Sequence, residues 1–201
     1  MKRYVLGITG ATGPAVGLRV LKELSRTAEV HVIISRQSFS IILEETGADL
    51  SDETAATVEK RLRKFAASKN IYYHDEGDFE APVASGSFKT DGMFVVPCSM
   101  KSLSGIANGY ANSLIERAAD VTIKEGRALL LAPREMPFSA IHLENMLKLA
   151  RLGVKIAPPV MGFYHGPKSL DDMVDFVAGK ILDAMGVEHE IFRRWGTKKK
   201  K

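Results

Sequence analysis

The 201-residue sequence has one cysteine, Cys98, one tryptophan, Trp195, and no apolar run approaching the width of a bilayer. A lone cysteine excludes an intramolecular disulfide and a multi-cysteine zinc site, and it fits a reducing compartment. The longest apolar stretches, such as residues 128–133, fall far short of the roughly 18 to 20 residues a spanning helix needs. Residues 1–3 are positive, but the short apolar stretch behind them runs into glycines with no cleavage site. No secretory signal is expected, and the expected location is the cytoplasm. Charge of one sign is also missing from the body of the chain. The formal charge is +4, yet Lys198, Lys199, Lys200 and Lys201 supply four of the 28 positive residues, against 24 negative ones. Residues 1–197 are formally neutral, without the basic face of a nucleic-acid binder, and 198–201 read as a solvated, disordered tail. No His, Cys, Asp or Glu spacing suits a metal, so none is expected.

What is present is ordinary globular composition, 45% hydrophobic and 26% charged, in a length suited to one domain. Short apolar runs at residues 4–9, 30–35, 71–74, 93–98, 128–132 and 154–157 read as strands. Helical periodicity separates most of them, at 14–27, 37–45, 52–67, 102–110, 113–125 and 139–152, with a last long helix opened by Ser169. Ser51 is the expected N-cap of the third. Residues 75–90, rich in Gly, Pro, Ser and acids, read as a long functional or mobile loop. The alternation predicts an α/β fold: a single Rossmann-like domain over 1–197 with a doubly wound, mainly parallel sheet. Ligands of such sheets bind beyond the carboxyl ends of the strands, so the loops at 10–13, 35, 99–102, 134–138 and 158–167 are expected to face one site.

Those loops carry the chemistry. Ile8-Thr9-Gly10-Ala11-Thr12-Gly13 lies between a strand and a helix, where glycines let a phosphate approach the backbone and free N–H groups await it. Short-chain dehydrogenases share the string, which raises NAD(P). Against that, the second strand ends in Ser35-Arg36 with no acid for a ribose hydroxyl, although Arg36 suits a 2′-phosphate. The one Tyr-x-x-x-Lys match, Tyr164 to Lys168, holds Gly166 and Pro167, which break the helix that motif needs. Pro97-Cys98-Ser99-Met100-Lys101-Ser102 ends the strongest strand and offers hydroxyls and helix-start N–H groups to a flavin edge or phosphate, or simply a helix cap. Cys98 has no local histidine and reads as packing. Arg117 and Lys124 share a helix face with Val121, as a phosphate site or as solvated charge. Arg134-Glu135 pairs a planar anion donor with a candidate acid or base, or forms a structural ion pair.

Taken in order, these strings resemble the UbiX-type flavin prenyltransferase family. The agreement runs through Gly10-Ala11-Thr12-Gly13, Ala84-Ser85-Gly86-Ser87, Pro97-Cys98-Ser99, Leu103-Ser104-Gly105, Glu116-Arg117-Ala118-Ala119-Asp120-Val121, Pro133-Arg134-Glu135, His142-Leu143-Glu144-Asn145-Met146 and Phe163-Tyr164-His165. The resemblance implies that a dimethylallyl group passes from dimethylallyl phosphate to N5 and C6 of reduced FMN without a metal. The prenylated FMN product would serve a separate UbiD-type decarboxylase. It also implies a homododecamer with FMN at subunit contacts. By position, Gly10, Ala11, Thr12, Ser35, Ser99, Met100, Lys101, Ser102 and Arg134 would hold FMN. Tyr164 and Lys180 would bind the dimethylallyl phosphate, Arg117 and Lys124 would add positive charge, and Trp195 would join on closing or from a neighbouring subunit. Glu135 would handle a flavin proton, with Glu45 and Thr12 as a relay. Thr12 stands where many relatives have Ser, Phe79 where they can carry Trp, and Gly126 where Arg is common; residues 51–74 match weakly. Flavin cysteine decarboxylases share the fold, but their Pro-x-Met-Asn string is absent from residues 133–137. A non-catalytic flavin carrier is the binding-module alternative, and it would not need Arg117, Lys124, Tyr164 and Lys180 to converge.

Overall fold

Runs of β-branched and aliphatic residues form strands that bury both faces, and the helices between them supply the cover. The computed structural model of the protein describes residues 1–196, and the Lys198–Lys201 tail lies outside them. The strands are β1 (Lys2–Ile8), β2 (Ala28–Ile34), β3 (Ile71–Asp75), β4 (Gly92–Cys98), β5 (Leu129–Pro133) and β6 (Lys155–Ile156). They pair in the order β3-β2-β1-β4-β5-β6, every pair parallel, so the expected mainly parallel sheet is wholly parallel.

Alternate residues of each strand enter different cores. Leu6, Ile8, Val32, Ile34, Phe94 and Val96 pack beneath α1 (Pro14–Leu24), α2 (Arg36–Thr46), α3 (Ala55–Ala66) and α7 (Leu170–Ala184). Val5, Ile33, Val95 and Leu131 pack beneath α4 (Met100–Ala107), α5 (Leu114–Lys124) and α6 (Ala140–Arg151). Full burial of each such side chain contributes roughly 1.5 to 3 kcal/mol. Gly17 brings α1 nearest the sheet: a Cβ there would overlap the Val96 carbonyl oxygen. No helix among the described residues is long and apolar enough to cross a membrane.

Hydroxyl caps fix several helix starts. Ser113 and Ser169 close capping boxes with Glu116 and Asp172. The cap expected at Ser51 falls at Thr54 instead, whose hydroxyl accepts from Thr57 N–H (3.3 Å), while Ser51 donates to Asp49 (2.9 Å). Thr54 offers the same oxygen immediately before the periodic run begins. Likewise α4 begins at Met100, before the expected 102, because the Ser99 hydroxyl accepts from Ser102 N–H (3.3 Å).

Rings pack on the α5 face of β2 and β3. His31 stacks on Tyr72 and His74 and meets the edge of Phe88. Its ring nitrogens lie 2.7 Å from Glu29 and 2.8 Å from His74 Nε2. Burial, then the adjacent His31, push the His74 imidazole down to about 4. Between about pH 6.5 and 4 the unfolded chain therefore binds a proton that folded His74 refuses, so stability falls as pH falls through that window. The expected loss is about 1 to 2 kcal/mol after allowance for partial exposure. Urea midpoints at pH 7 and 4.5 should show it, and a His74→Asn variant should show a flatter dependence. An equal dependence in the variant would remove His74 as the cause.

Candidate functional site

The carboxyl edge of the sheet reverses its winding between β1 and β4, where neighbouring connections leave in opposite directions and open a crevice. A cleft of about 310 Å³ lies there. It is lined by Gly10 after β1, Ser35 and Gln37 after β2, Glu76 after β3, Ser99, Lys101 and Ser102 after β4, and Ser113, Ile115 and Glu116 at the start of α5. Thr9 ties two of these loops together: its hydroxyl donates to Pro97 O (2.9 Å) and accepts from Ser99 N–H (2.7 Å).

Four helix N-termini reach this cleft, those of α1, α2, α4 and α5, and they differ in what they leave open. Gly13 N–H, at the start of α1, donates to Glu45 (2.9 Å). Arg36 N–H, at the start of α2, donates to Glu76 (2.8 Å). At the start of α5, Ser113 N–H donates to Glu116 (3.1 Å), so all three of these positive dipole ends already hold a carboxylate of the chain itself. The start of α4 has only the neutral Ser99 cap, with Lys101 in its first turn and N–H groups that a helix start leaves without intrahelical partners. An incoming phosphate is therefore best received at Ser99 to Ser102, while the Glu76 side of the cleft favours hydroxyl or N–H donors.

The sequence-predicted residues fall into three places. Gly10, Ser35, Ser99, Lys101 and Ser102 line the cleft. Ala11, Thr12 and Met100 belong to the same loops, and Arg134, whose N–H donates to Cys98 O (3.1 Å), leaves β5 beside β4 with an exposed side chain, as does Glu135. Glu45 reaches the Gly13 peptide instead of the Thr12 hydroxyl expected for a relay.

Tyr164 and Trp195 form a second place, with ring centroids 5.5 Å apart and edge-on, in a cleft of about 230 Å³ shared with Arg193 and Arg194. Trp195 thus meets Tyr164 within one chain. Lys180 is exposed on α7, one turn beyond Phe176, against which Tyr164 packs (5.4 Å). The Tyr164 to Lys168 stretch is a turn and not a helix, as its glycine and proline dictate.

Arg117 and Lys124 are the third place, and here the expected convergence with Tyr164 and Lys180 does not occur within one chain. Seven residues of helix carry Lys124 about 10 Å beyond Arg117, toward the amino edge of the sheet. Arg117 donates to Ala84 O (3.1 Å) and Asp120 (3.0 Å), and Lys124 pairs with Glu125 (2.5 Å).

The sequence reading missed Gln37, Glu76, Ser113 and Ile115 in the cleft wall. Ser113-x-x-Glu116 was visible as a capping box, and Glu76 opens the loop already marked by its composition. Cys98 is fully buried, its thiol pushed up by burial and then by Glu116, so it packs as read. A larger hollow of about 710 Å³ lies between α1 and the segment after α7, but there Arg19 pairs with Glu23 and Asp175, and Arg26 with Glu23. Among the described residues no group of three or more His, Cys, Asp or Glu could hold a metal.

Comparison with known proteins matches residues 1–182 to the Flavoprotein family. The chain is 45% identical to the flavin prenyltransferase UbiX of Halalkalibacterium halodurans, over 98% of this chain and 94% of that protein. The crystal structure of AnUbiX (PadA1) in complex with FMN and dimethylallyl pyrophosphate is 41% identical, with a TM-score of 0.85 over 98% of this chain and 99% of that one. A dodecameric FMN-dependent UbiX-like decarboxylase from Escherichia coli O157:H7 is 43% identical, with a TM-score of 0.84 over 97% of this chain and all of that one.

Proposed function

The chain belongs to the UbiX-type flavin prenyltransferases, and from that premise we propose that its β1/β4 cleft and its Tyr164 cleft hold the two substrates of one reaction. The activity is transfer of a dimethylallyl group from dimethylallyl phosphate to reduced FMN, giving prenylated FMN. Neither the NAD(P) reductase nor the cysteine decarboxylase reading has its motif in place. What carries the assignment of the flavin to the first cleft is the single open helix start there, at α4.

The residues fit such a ligand. Ser99, Met100, Lys101 and Ser102 would take the FMN phosphate at the start of α4. Gly10, Ala11 and Thr12 would let the flavin approach the first turn, with Ser35 beside them and Arg134 clamping from the end of β5. Reduced FMN supplies the nucleophilic ring atoms; the protein's part is to orient them, exclude water and stabilise a departing phosphate. Tyr164 and Lys180 would hold that phosphate, and Glu135 would take or give a proton at the flavin. Cations in this arrangement substitute for a metal.

Arg117 and Lys124 reach the reaction only from a neighbouring copy, and oligomerisation would bring them there. Met136, Ile141, Leu143 and Leu147 are large exposed apolar side chains on α6 and the loop before it, the kind of surface a second copy covers. On this reading the chain is a homododecamer, as its Escherichia coli relative is. It works in the cytoplasm and passes its product to a UbiD-type decarboxylase. Anaerobic incubation with reduced FMN and dimethylallyl phosphate is expected to give a five-carbon adduct of FMN by mass spectrometry. Its absence at saturating substrate would overturn the assignment, and a monomer by light scattering would overturn the shared site.

A further inference from the structure

After α7 the chain turns back as a strap, residues 187–196, that lies along the helix toward Tyr164. Gly179 makes room for it. A Cβ at that position would lie 2.3 Å from Phe192 Cδ1 and 2.7 Å from His189 Cε1, so the strap's rings rest on bare helix backbone. In the last turn of α7, Asp183 gathers three donors from the strap. Arg194 gives Nη1–H to Oδ2 (2.9 Å) and Nη2–H to Oδ1 (2.8 Å), a bidentate pair. His189, its side chain fully buried, lies with Nε2 3.1 Å from Oδ1. Ile191 N–H donates to His189 Nδ1 (3.3 Å), which leaves the neutral ring's hydrogen on Nε2, facing Asp183. Burial works against the Asp183 charge, but the Arg194 hydrogen bond and field outweigh it and hold the carboxyl below its usual range.

The far end of the strap reaches Tyr164. Phe192 meets Phe176 (5.3 Å, 69°), Phe176 supports Tyr164, and Trp195 stands edge-on to Tyr164 at 83°. Arg193 lines the same cleft and has no ion pair among the described residues. Trp195 is itself 80% exposed, so its own burial does little to hold it in place. The position of both side chains therefore depends on where the strap is anchored.

We infer that Asp183 and Arg194 are positioning residues for the allyl phosphate half of the site: their bidentate pair fixes the strap and so holds Arg193 and Trp195 against Tyr164. The inference rests on the reading that Tyr164 binds that phosphate. Breaking the pair leaves the flavin cleft untouched and weakens capture of the second substrate.

Trp195 is the only tryptophan, so its fluorescence reports the strap directly. In Arg194→Ala the fast-motion amplitude of Trp195 anisotropy is expected to rise. The Kd for dimethylallyl phosphate, read from Trp195 emission without turnover, is expected to rise about tenfold, and KM with it, while kcat and FMN affinity stay within about twofold. Arg194→Lys keeps the charge but not the two-point contact, and its Kd should fall between the two. Gly179→Ala keeps both Asp183 and Arg194 but displaces the strap through Phe192 and His189, so it should reproduce the Arg194→Ala pattern, which covers the case of an Arg194 variant that fails to fold. An unchanged Kd in both Arg194→Ala and Gly179→Ala would overturn the inference. The binding arm needs no adduct, so a wild-type protein that binds dimethylallyl phosphate but forms none would sink the proposed activity and leave the clasp to be judged on Kd alone.

Discussion

Glu135→Gln is expected to slow formation of the five-carbon FMN adduct by about 10²- to 10⁴-fold, the usual worth of a positioned acid or base, while FMN binds within about twofold of wild type. The substitution is nearly isosteric. Glu135 sits in the exposed loop after β5, and one carboxylate oxygen accepts from Met136 N–H (3.0 Å). A glutamine oxygen keeps that bond, so the loop and its neighbour Arg134 have no reason to move. What the amide cannot do is carry a proton, and attaching carbon to N5 and C6 of a reduced flavin requires protons to move there. Single-turnover measurement with preformed reduced FMN complex isolates this step from binding. A Gln variant that loses FMN would make Glu135 a structural residue, and one with a normal rate would remove it from the chemistry.

Gly17→Ala is expected to destabilise the protein by about 3 kcal/mol or more, because the new methyl group falls on the Val96 carbonyl oxygen. That atom belongs to the backbone of central strand β4 and cannot rotate aside. Helix α1 would have to lift from the sheet, carrying the Gly10 to Gly13 turn with it. For a chain of this size the loss corresponds to a fall in melting temperature of roughly 10 °C. FMN affinity should fall in parallel. Gly7→Ala is the control, since its nearest neighbour is the Ile115 side chain at 3.0 Å, which can shift, and its expected loss is about 1 kcal/mol. Equal melting temperatures for Gly17→Ala and wild type would show that α1 has slack the packing does not suggest.

The fold was legible in the sequence because its strands are short, apolar and separated by amphipathic runs, and because Gly10-Ala11-Thr12-Gly13 fixes where the first turn lies. Hydroxyl caps were legible as residue types but not always as positions: Ser51 and Thr54 offer the same oxygen three residues apart, and only packing chooses. The helix start at Ser99 to Ser102, at the carboxyl end of β4, was visible from local residues alone. Glu76 was not, because its importance comes from reaching Arg36 N–H across 40 residues of chain. The separation of Arg117 and Lys124 from Tyr164 was illegible for a related reason. Helical spacing shows that two cations share a face, but which edge of the sheet that face serves depends on the direction of α5. The strap was hidden because Gly179 acts by what it lacks.

The order β3-β2-β1-β4-β5-β6 also sets when the protein becomes competent. β1 and β4 meet at the centre of the sheet, and the Thr9 to Pro97 hydrogen bond that ties the two loops of their cleft spans 88 residues. Local helices can form early, but this contact must wait for a long loop to close, which makes it one of the slower events in folding. A growing chain on the ribosome has β1, β2 and β3 well before it has the β1/β4 cleft at all. On the proposed assignment, flavin capture would mark completion of the central sheet, and ligand present during synthesis or refolding would act on the finished fold and not on its precursors.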